Sequence, residues 1–186
     1  MAASLRGFSS AGPALINNTP SQLQTFTQMD YFQGVVTEYL RANRATFVNT
    51  ECCIQLNDSP NPDNSGPHWY CDAVAVNLKE EKAYLCEITY SKSLGALAKR
   101  LAGWSMHWAL LRVALRRDCG IPENWVVRPW LFVPKELGDA LSKQLAKLPH
   151  TVDVSTQMPD AKVTWLEDVV PWKYRSWNRE HNDSDE

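Results

Sequence analysis

The chain has 186 residues with a formal net charge of −2; 44% of the residues are hydrophobic and 22% are charged, as in a typical soluble domain with one core. No stretch reaches the ~18 consecutive apolar residues of a membrane helix, and the first residues contain no apolar run typical of a secretory signal. We therefore expect a cytoplasmic protein without membrane contact. The five cysteines form no CxxC pair, which argues against both a disulfide framework and a zinc ribbon.

Apolar periodicity along the chain predicts an α/β protein. Residues 1–28 are predicted to be a flexible arm, residues 29–173 a single domain, and residues 174–186 a disordered acidic tail. In chain order, the predicted elements are a helix over 29–42, a strand over 46–56, a proline-rich loop over 57–67, strands over 69–77 and 82–90, a helix from 94 to 115, a strand over 125–133, a helix over 135–148 and a strand over 162–166.

The charge is unevenly distributed along the sequence. Residues 92–117 carry six Lys or Arg and no Asp or Glu, whereas residues 1–91 carry five basic and nine acidic residues. Within the long predicted helix, Lys99, Arg100 and His107 are candidates for binding a nucleic-acid backbone. The arginines in its last turns equally suit the helix dipole. Trp104 and Trp108 lie on the apolar stripe and are expected in the core rather than stacked on bases.

The two strands over 69–77 and 82–90 are predicted to form a hairpin that brings two acids together. If the turn centres between Lys79 and Glu80, Asp72 lies directly opposite Glu87 on one face of the sheet. Like charges in this arrangement are destabilising unless a cation neutralises them. The pair therefore suggests a divalent metal site. The alternative is a register shifted by one residue, in which Asp72 points to solvent.

The segment HWYCDAVAVNLKEEKAYLCEITYSKS (residues 68–93), followed by a long helix, resembles the PD-(D/E)XK, or restriction-endonuclease-like, nuclease superfamily. The resemblance covers about residues 29–133. It implies an αβββαβ core with a mixed β-sheet flanked by helices, and hydrolysis of phosphodiester bonds in DNA with Mg²⁺ or Mn²⁺. Asp72 matches the motif aspartate and Glu87 the motif acid. In similar nucleases a glutamate on the first helix is an additional metal ligand, which implies Glu38 here, although such a residue is often simply solvated.

Two positions depart from the motif of this superfamily. Cys71 rather than proline precedes Asp72, and Thr89 stands where the family has a lysine that stabilises the phosphate or positions the water. Lys92 is the nearest replacement, and its long side chain could reach the site from the start of the helix. Lys92 as a solvated residue is the alternative. A PD dipeptide occurs at Pro62 and Asp63, but it lies in the proline-rich loop, where it would not be held beside Glu87.

One other kind of function is compatible with the sequence. A catalytically inactive nuclease-fold module that binds nucleic acid or a protein is favoured by Thr89. A zinc site made by His68, Cys71, Cys52 and Cys53 is disfavoured, because Cys52 and Cys53 point to opposite faces of a strand. Whether the substrate is DNA or RNA, and whether the chain forms a homodimer or a larger complex, is left open.

Overall fold

The computed structural model describes residues 23–56, 68–149 and 156–175. The chain has an α/β fold in which a mixed five-stranded sheet is flanked by helices. The elements are α1 (Leu23–Arg41), β1 (Thr46–Gln55), β2 (His68–Asn77), β3 (Lys82–Ile88), α2 (Gly95–Met106), α3 (Trp108–Cys119), β4 (Val126–Val133), a 3₁₀ turn (Lys135–Leu137), α4 (Gly138–Leu145), β5 (Lys162–Trp165) and a second 3₁₀ turn (Leu166–Asp168).

The strands are ordered β1-β2-β3-β4-β5, the same order as in the sequence. β2 is antiparallel to both β1 and β3, whereas β4 is parallel to β3 and β5 is parallel to β4. The β1–β2–β3 part needs only loops between its strands, but a parallel pair needs a crossover connection. The helices α2 and α3 provide that crossover between β3 and β4.

Each face of the sheet is covered by a different set of helices. On one face, buried side chains of β2 and β3, such as Val74 and Leu85, pack with α2, α3 and α4. On the other face, Ala75 and Tyr84 pack with Val36 and residues near it on α1. The central strand β3 is buried along most of its length. Its carboxyl end, which carries Glu87, therefore lies between helical layers.

The single helix predicted between Leu94 and Leu115 is divided in two at His107. His107 has φ −116° and ψ 20°, and its amide contacts the carbonyls of both Gly103 and Trp104. The break is beside the ring of Trp69, whose centroid lies 6.0 Å from that of His107. The apolar stripe still faces one core, since Trp104 and Trp108 are both fully buried as expected. Gly120 ends α3 with φ 63°, a conformation that glycine adopts without strain.

Other element bounds differ from the prediction by a few residues. α1 begins at Leu23 rather than at residue 29, and the predicted helix over 135–148 is a 3₁₀ turn followed by the shorter α4. The predicted arm up to residue 22, the proline-rich loop over 57–67 and the tail from residue 176 lie outside the described residues. Among the helices that are described, none is long and apolar enough to cross a membrane.

Candidate functional site at the carboxyl end of β3

The register of the hairpin is the one predicted from the sequence. Val74 pairs with Leu85 and Val76 with Ala83, and the ladder continues to the pair of Ala73 and Cys86. The register shifted by one residue is therefore excluded. The next position of this register places Asp72 beside Glu87, at the point where the two strands separate.

Asp72 is held at this point by backbone contacts. Its Oδ2 accepts a hydrogen bond of 2.6 Å from the amide of Ile88. Ile88 lies beyond Cys86, the last residue of β3 that pairs with β2. The carbonyl of Asp72 accepts a hydrogen bond of 3.3 Å from Nε2 of Gln33 on α1. The side chain of Asp72 is therefore bonded to the backbone of β3 beyond the last β2–β3 pair, and this hydrogen bond fixes the position of the carboxylate.

The β1–β2 ladder is also distorted here. Glu51 has φ 54°, and the pair that it would form with Asp72 is missing from an otherwise continuous register. Before this point Val48 packs on the α1 face, whereas Cys52 and Ile54 pack on the α2 face. In a regular strand all three would share one face, so β1 changes face at Glu51. Asp72 lies opposite this reversal.

A guanidinium from α2 joins the two carboxylates. Nη1 of Arg100 lies 2.6 Å from Oε2 of Glu87 and 4.0 Å from Oδ1 of Asp72. The side chain of Glu87 is 4% exposed and that of Arg100 is 36% exposed. The sequence predicted a divalent metal ion at this pair; in the structure the positive charge beside the two acids is that of Arg100.

One guanidinium does not balance both acids. Burial, together with the nearby charge of Asp72, raises the pKa of Glu87 to about 8. Burial also raises the pKa of Asp72, against the opposing effects of the Ile88 amide and Arg100. Oε1 of Glu87 is buried and accepts no hydrogen bond from the described residues. Oε1 of Glu87 is therefore available to bind a cation or to accept a hydrogen bond.

The other predicted site residues are at varying positions around this pair. Lys92 is exposed in the loop between β3 and α2, and Thr89 is half-buried, with its amide bonded to the carbonyl of Phe132 on β4. Glu38 is 63% exposed and pairs with Arg41 at 3.5 Å. Within residues 23–56, 68–149 and 156–175, no group of three or more His, Cys, Asp or Glu could hold a metal ion. Glu38 is therefore not grouped with Asp72 and Glu87.

The predicted nucleic-acid contacts lie together on one side of α2. Lys99 and Arg100 line the same groove, together with Trp69 of β2. His107 is exposed and lies against the Trp69 ring. Lys99 and Arg100 thus line the same groove as Trp69, and His107 lies near the ring of Trp69; Arg100 is already paired with Glu87.

The cysteines of β1 and β2 pair across the strands. Cys52 lies opposite Cys71, and both are buried. A hydrogen bond from the neighbouring thiol lowers the pKa of Cys52 to about 7 and leaves that of Cys71 raised. Cys53 is exposed instead, so the two adjacent cysteines point to different sides as expected, which is inconsistent with the four-residue zinc site.

Arg100 was predicted from the sequence to contact phosphate, but its hydrogen bond to Glu87 was not predicted. The signal for that bond was present, because Leu97 and Leu101 on either side of Arg100 are buried against the sheet face that carries Glu87. A residue next to such a stripe lies at the edge of the helix–sheet interface. The distance between Arg100 and the end of β3 depends on the path of the loop over 89–94. No periodic pattern in the sequence of this loop predicts that path.

Comparison with known proteins does not assign the chain to a family. No protein-family model matches the sequence, and no curated protein matches it significantly.

Proposed function

We propose that this chain is a metal-dependent hydrolase of phosphodiester bonds in DNA and a member of the PD-(D/E)XK superfamily. The observation that carries the proposal is the pair of carboxylates, Asp72 within β2 and Glu87 near the end of β3, with Oε1 of Glu87 buried and unpartnered in the described structure. The order of helix, three strands, helical crossover and strand is consistent with the αβββαβ core that the resemblance implies.

The residues present fit a magnesium or manganese ion. Mg²⁺ is usually held by one or two carboxylates, and its remaining ligands are waters and substrate phosphate oxygens. Asp72 and Glu87 would hold the ion, together with the carbonyl of Ile88, and a third carboxylate is not required. When bound, the ion would polarise the phosphate and lower the pKa of a coordinated water.

The protein's own cations would act on the phosphate. Arg100 is held in place by Glu87 and is 36% exposed, so part of its guanidinium is accessible to a phosphate oxygen. Charge-assisted hydrogen bonds of this kind are roughly twice as strong as neutral ones. Lys92 follows Glu87 by five residues, and we assign it to the developing charge or the attacking water. Thr89, with no charge, does not take that role.

Cleavage assays on carboxylate variants test this proposal. Wild-type protein with Mg²⁺ or Mn²⁺ should cut linear or plasmid DNA, and Asp72→Asn and Glu87→Gln should abolish cutting while keeping the far-UV circular dichroism of the wild type. Glu38→Gln is the matched control, because it neutralises an exposed carboxylate outside the pair. Cleavage by both site variants at the wild-type rate, or no cleavage by the wild type with either metal, contradicts the proposal.

A catalytically inactive binding module is the second candidate. The observation that favours it is the 2.6 Å ion pair of Arg100 with Glu87, which partly neutralises the acids without a metal. Calorimetric titration with Mn²⁺ separates the two candidates. Binding of Mn²⁺ that is lost in Asp72→Asn favours the hydrolase. DNA binding that weakens steeply with salt, with no Mn²⁺ site, favours the module.

A further inference from the structure

Two buried thiols face each other across the β1–β2 ladder, and no step of the proposed hydrolysis uses them. Cys52 pairs directly with Cys71 in the antiparallel register, and both side chains pack in the core on the α2 side of the sheet. Directly opposite residues of such a pair have Cβ atoms about 4.5–5.5 Å apart, and a disulfide needs about 3.5–4.5 Å. A small local movement therefore brings the two sulfurs within bonding distance.

The distorted stretch of both strands places these side chains on the same face. β1 changes face at Glu51, directly before Cys52. In β2, Cys71 and Val74 both pack on the α2 face while Ala73 packs on the α1 face, although residues three apart in a regular strand point to opposite faces. β2 thus changes face as well. Because the two reversals occur together, Cys52 stays opposite Cys71.

The hydrogen bonds around the two sulfurs give them different roles. The thiol of Cys71 and the amide of Val74 both donate to Sγ of Cys52. These bonds stabilise a thiolate and lower the pKa of Cys52 to about 7 against the effect of burial, whereas the bond between the thiols and burial raise the pKa of Cys71. When it is protonated, Cys52 donates to the carbonyl of Asn49 at 3.3 Å. The thiolate is the reactive form of cysteine, so Cys52 is the nucleophile of the pair.

Cys52 is also the more accessible of the two thiols. It is 8% exposed, against 2% for Cys71, and it belongs to β1, a strand at the edge of the sheet. A sulfur with so little exposed surface is reached by a small hydroperoxide rather than by a bulky disulfide. Hydrogen peroxide is therefore the class of oxidant that fits this pair.

We propose that Cys52 and Cys71 are a peroxide-reactive dithiol that closes to a reversible disulfide. The thiolate of Cys52 attacks one oxygen of hydrogen peroxide and the O–O bond breaks, so that Cys52 becomes a sulfenic acid and the other oxygen leaves as water. The sulfur of Cys71 then displaces the hydroxyl of the sulfenic acid, which takes up the thiol proton and leaves as a second water. Two thiols are oxidised to one disulfide, and one peroxide is reduced to two waters.

This bond differs from the structural disulfide framework that the cysteine spacing argues against. Disulfides that form transiently on oxidation are the kind found in reducing compartments. The proposal is also independent of the proposed hydrolase, since it needs neither a metal ion nor a nucleic acid.

Thiol mapping on the full-length protein tests this proposal. The protein is treated with hydrogen peroxide, unfolded and alkylated with iodoacetamide, and its chymotryptic peptides are analysed by mass spectrometry. We expect the peptide that contains Cys52 to be linked to the one that contains Cys71 as the major cross-linked species, and dithiothreitol to remove the link. Cys86, which is fully buried on the α1 face, is the internal control and should be alkylated. The Cys53→Ser variant should form the same link.

Two further variants separate the steps of the reaction. In Cys71→Ala the second thiol is missing, so Cys52 should stop at the sulfenic acid and be labelled by dimedone. In Cys52→Ala the nucleophile is missing, so Cys71 should remain a thiol after the same treatment. Mapping of the wild type decides the proposal without these variants if either of them fails to fold.

Three results would overturn the proposal. They are alkylation of both Cys52 and Cys71 after exposure to millimolar peroxide, a disulfide of Cys52 with the exposed Cys119 in place of Cys71, and a link to Cys71 that is lost in Cys53→Ser. None of these results bears on metal-dependent cleavage of DNA, so the two proposals fail separately.

Discussion

Arg100 Nη1 lies 2.6 Å from Oε2 of Glu87, and this contact joins helix α2 to the end of the central strand across 13 residues of sequence. It brings a cation to a carboxyl that is 4% exposed and that has a second carboxylate, Asp72, beside it. The fold therefore gathers a charged cluster at the edge of a core.

Removal of Arg100 should destabilise the protein, and by more at pH 8 than at pH 5. Arg100→Ala leaves two carboxylates without their cation, at a cost of about 1–3 kcal/mol when Glu87 is ionised. At pH 5, well below its pKa of about 8, Glu87 is mainly protonated and the loss is smaller. Urea denaturation at both pH values measures the difference. Arg41→Ala, which breaks an exposed pair with Glu38, should cost less than about 0.5 kcal/mol at either pH.

The stability of the wild type should fall as the pH rises from about 5 to 8. Burial and the charge of Asp72 raise the pKa of Glu87 in the folded state from its ordinary 4.5 to about 8. Between these values the folded state binds more protons than the unfolded state, so each rise in pH favours unfolding. Glu87→Gln should flatten this dependence in thermal melts, whereas Glu38→Gln should not. Equal pH slopes for the wild type and Glu87→Gln would show that Glu87 does not titrate in this range.

Divalent metal should stabilise the wild type through the carboxylate pair. Manganese at 100 times its dissociation constant adds about 2.7 kcal/mol if it binds only the folded state. The gain in melting temperature should increase from pH 6 to pH 8, because Glu87 must lose its proton before it can be a ligand. Addition of EDTA should reverse the gain, and Asp72→Asn should not show it. An equal gain in Asp72→Asn would place the metal elsewhere.

Lys92→Ala should slow metal-dependent cleavage by about 100-fold without a change in stability. Loss of one group that stabilises the developing charge typically has an effect of this size, and an exposed lysine contributes little to folding. Single-turnover cleavage rates and melting temperatures measure the two effects. Lys143→Ala, on α4, serves as the control. Cleavage by Lys92→Ala at the wild-type rate would leave Arg100 as the cation that acts on the phosphate.

Gly103 should tolerate no side chain, in contrast to Gly34. In Gly103→Ala the new Cβ overlaps the Trp69 ring, which must move, at a cost of about 1–3 kcal/mol. Gly34 is in α1, and a Cβ there meets nothing within 4 Å, so Gly34→Ala should stabilise the helix by about 0.5–1 kcal/mol. Chemical denaturation of both variants provides the comparison. A stable Gly103→Ala protein would show that Trp69 is free to leave the helix.

Much of the fold was predictable because its signals are local. Alternation of apolar residues and a short turn define the hairpin, so the pairing of Val74 with Leu85 followed from counting outward from Lys79 and Glu80. Helical spacing likewise predicted that Trp104 and Trp108 would be buried. The same counting placed Asp72 beside Glu87, because one known pair of an antiparallel ladder fixes the pairing of the residues on either side of it.

Other features depend on contacts between distant segments. The break of the helix at His107 occurs beside Trp69 of β2. Position 107 is neither glycine nor proline, so the residue type does not predict the break. The change of face at Glu51 requires a positive φ that non-glycine residues rarely adopt. Arg100 reaches Glu87 only because Leu97 and Leu101 dock α2 on the sheet. Periodicity shows which face of a segment is buried, but the position at which two buried faces meet is set by packing of the whole chain.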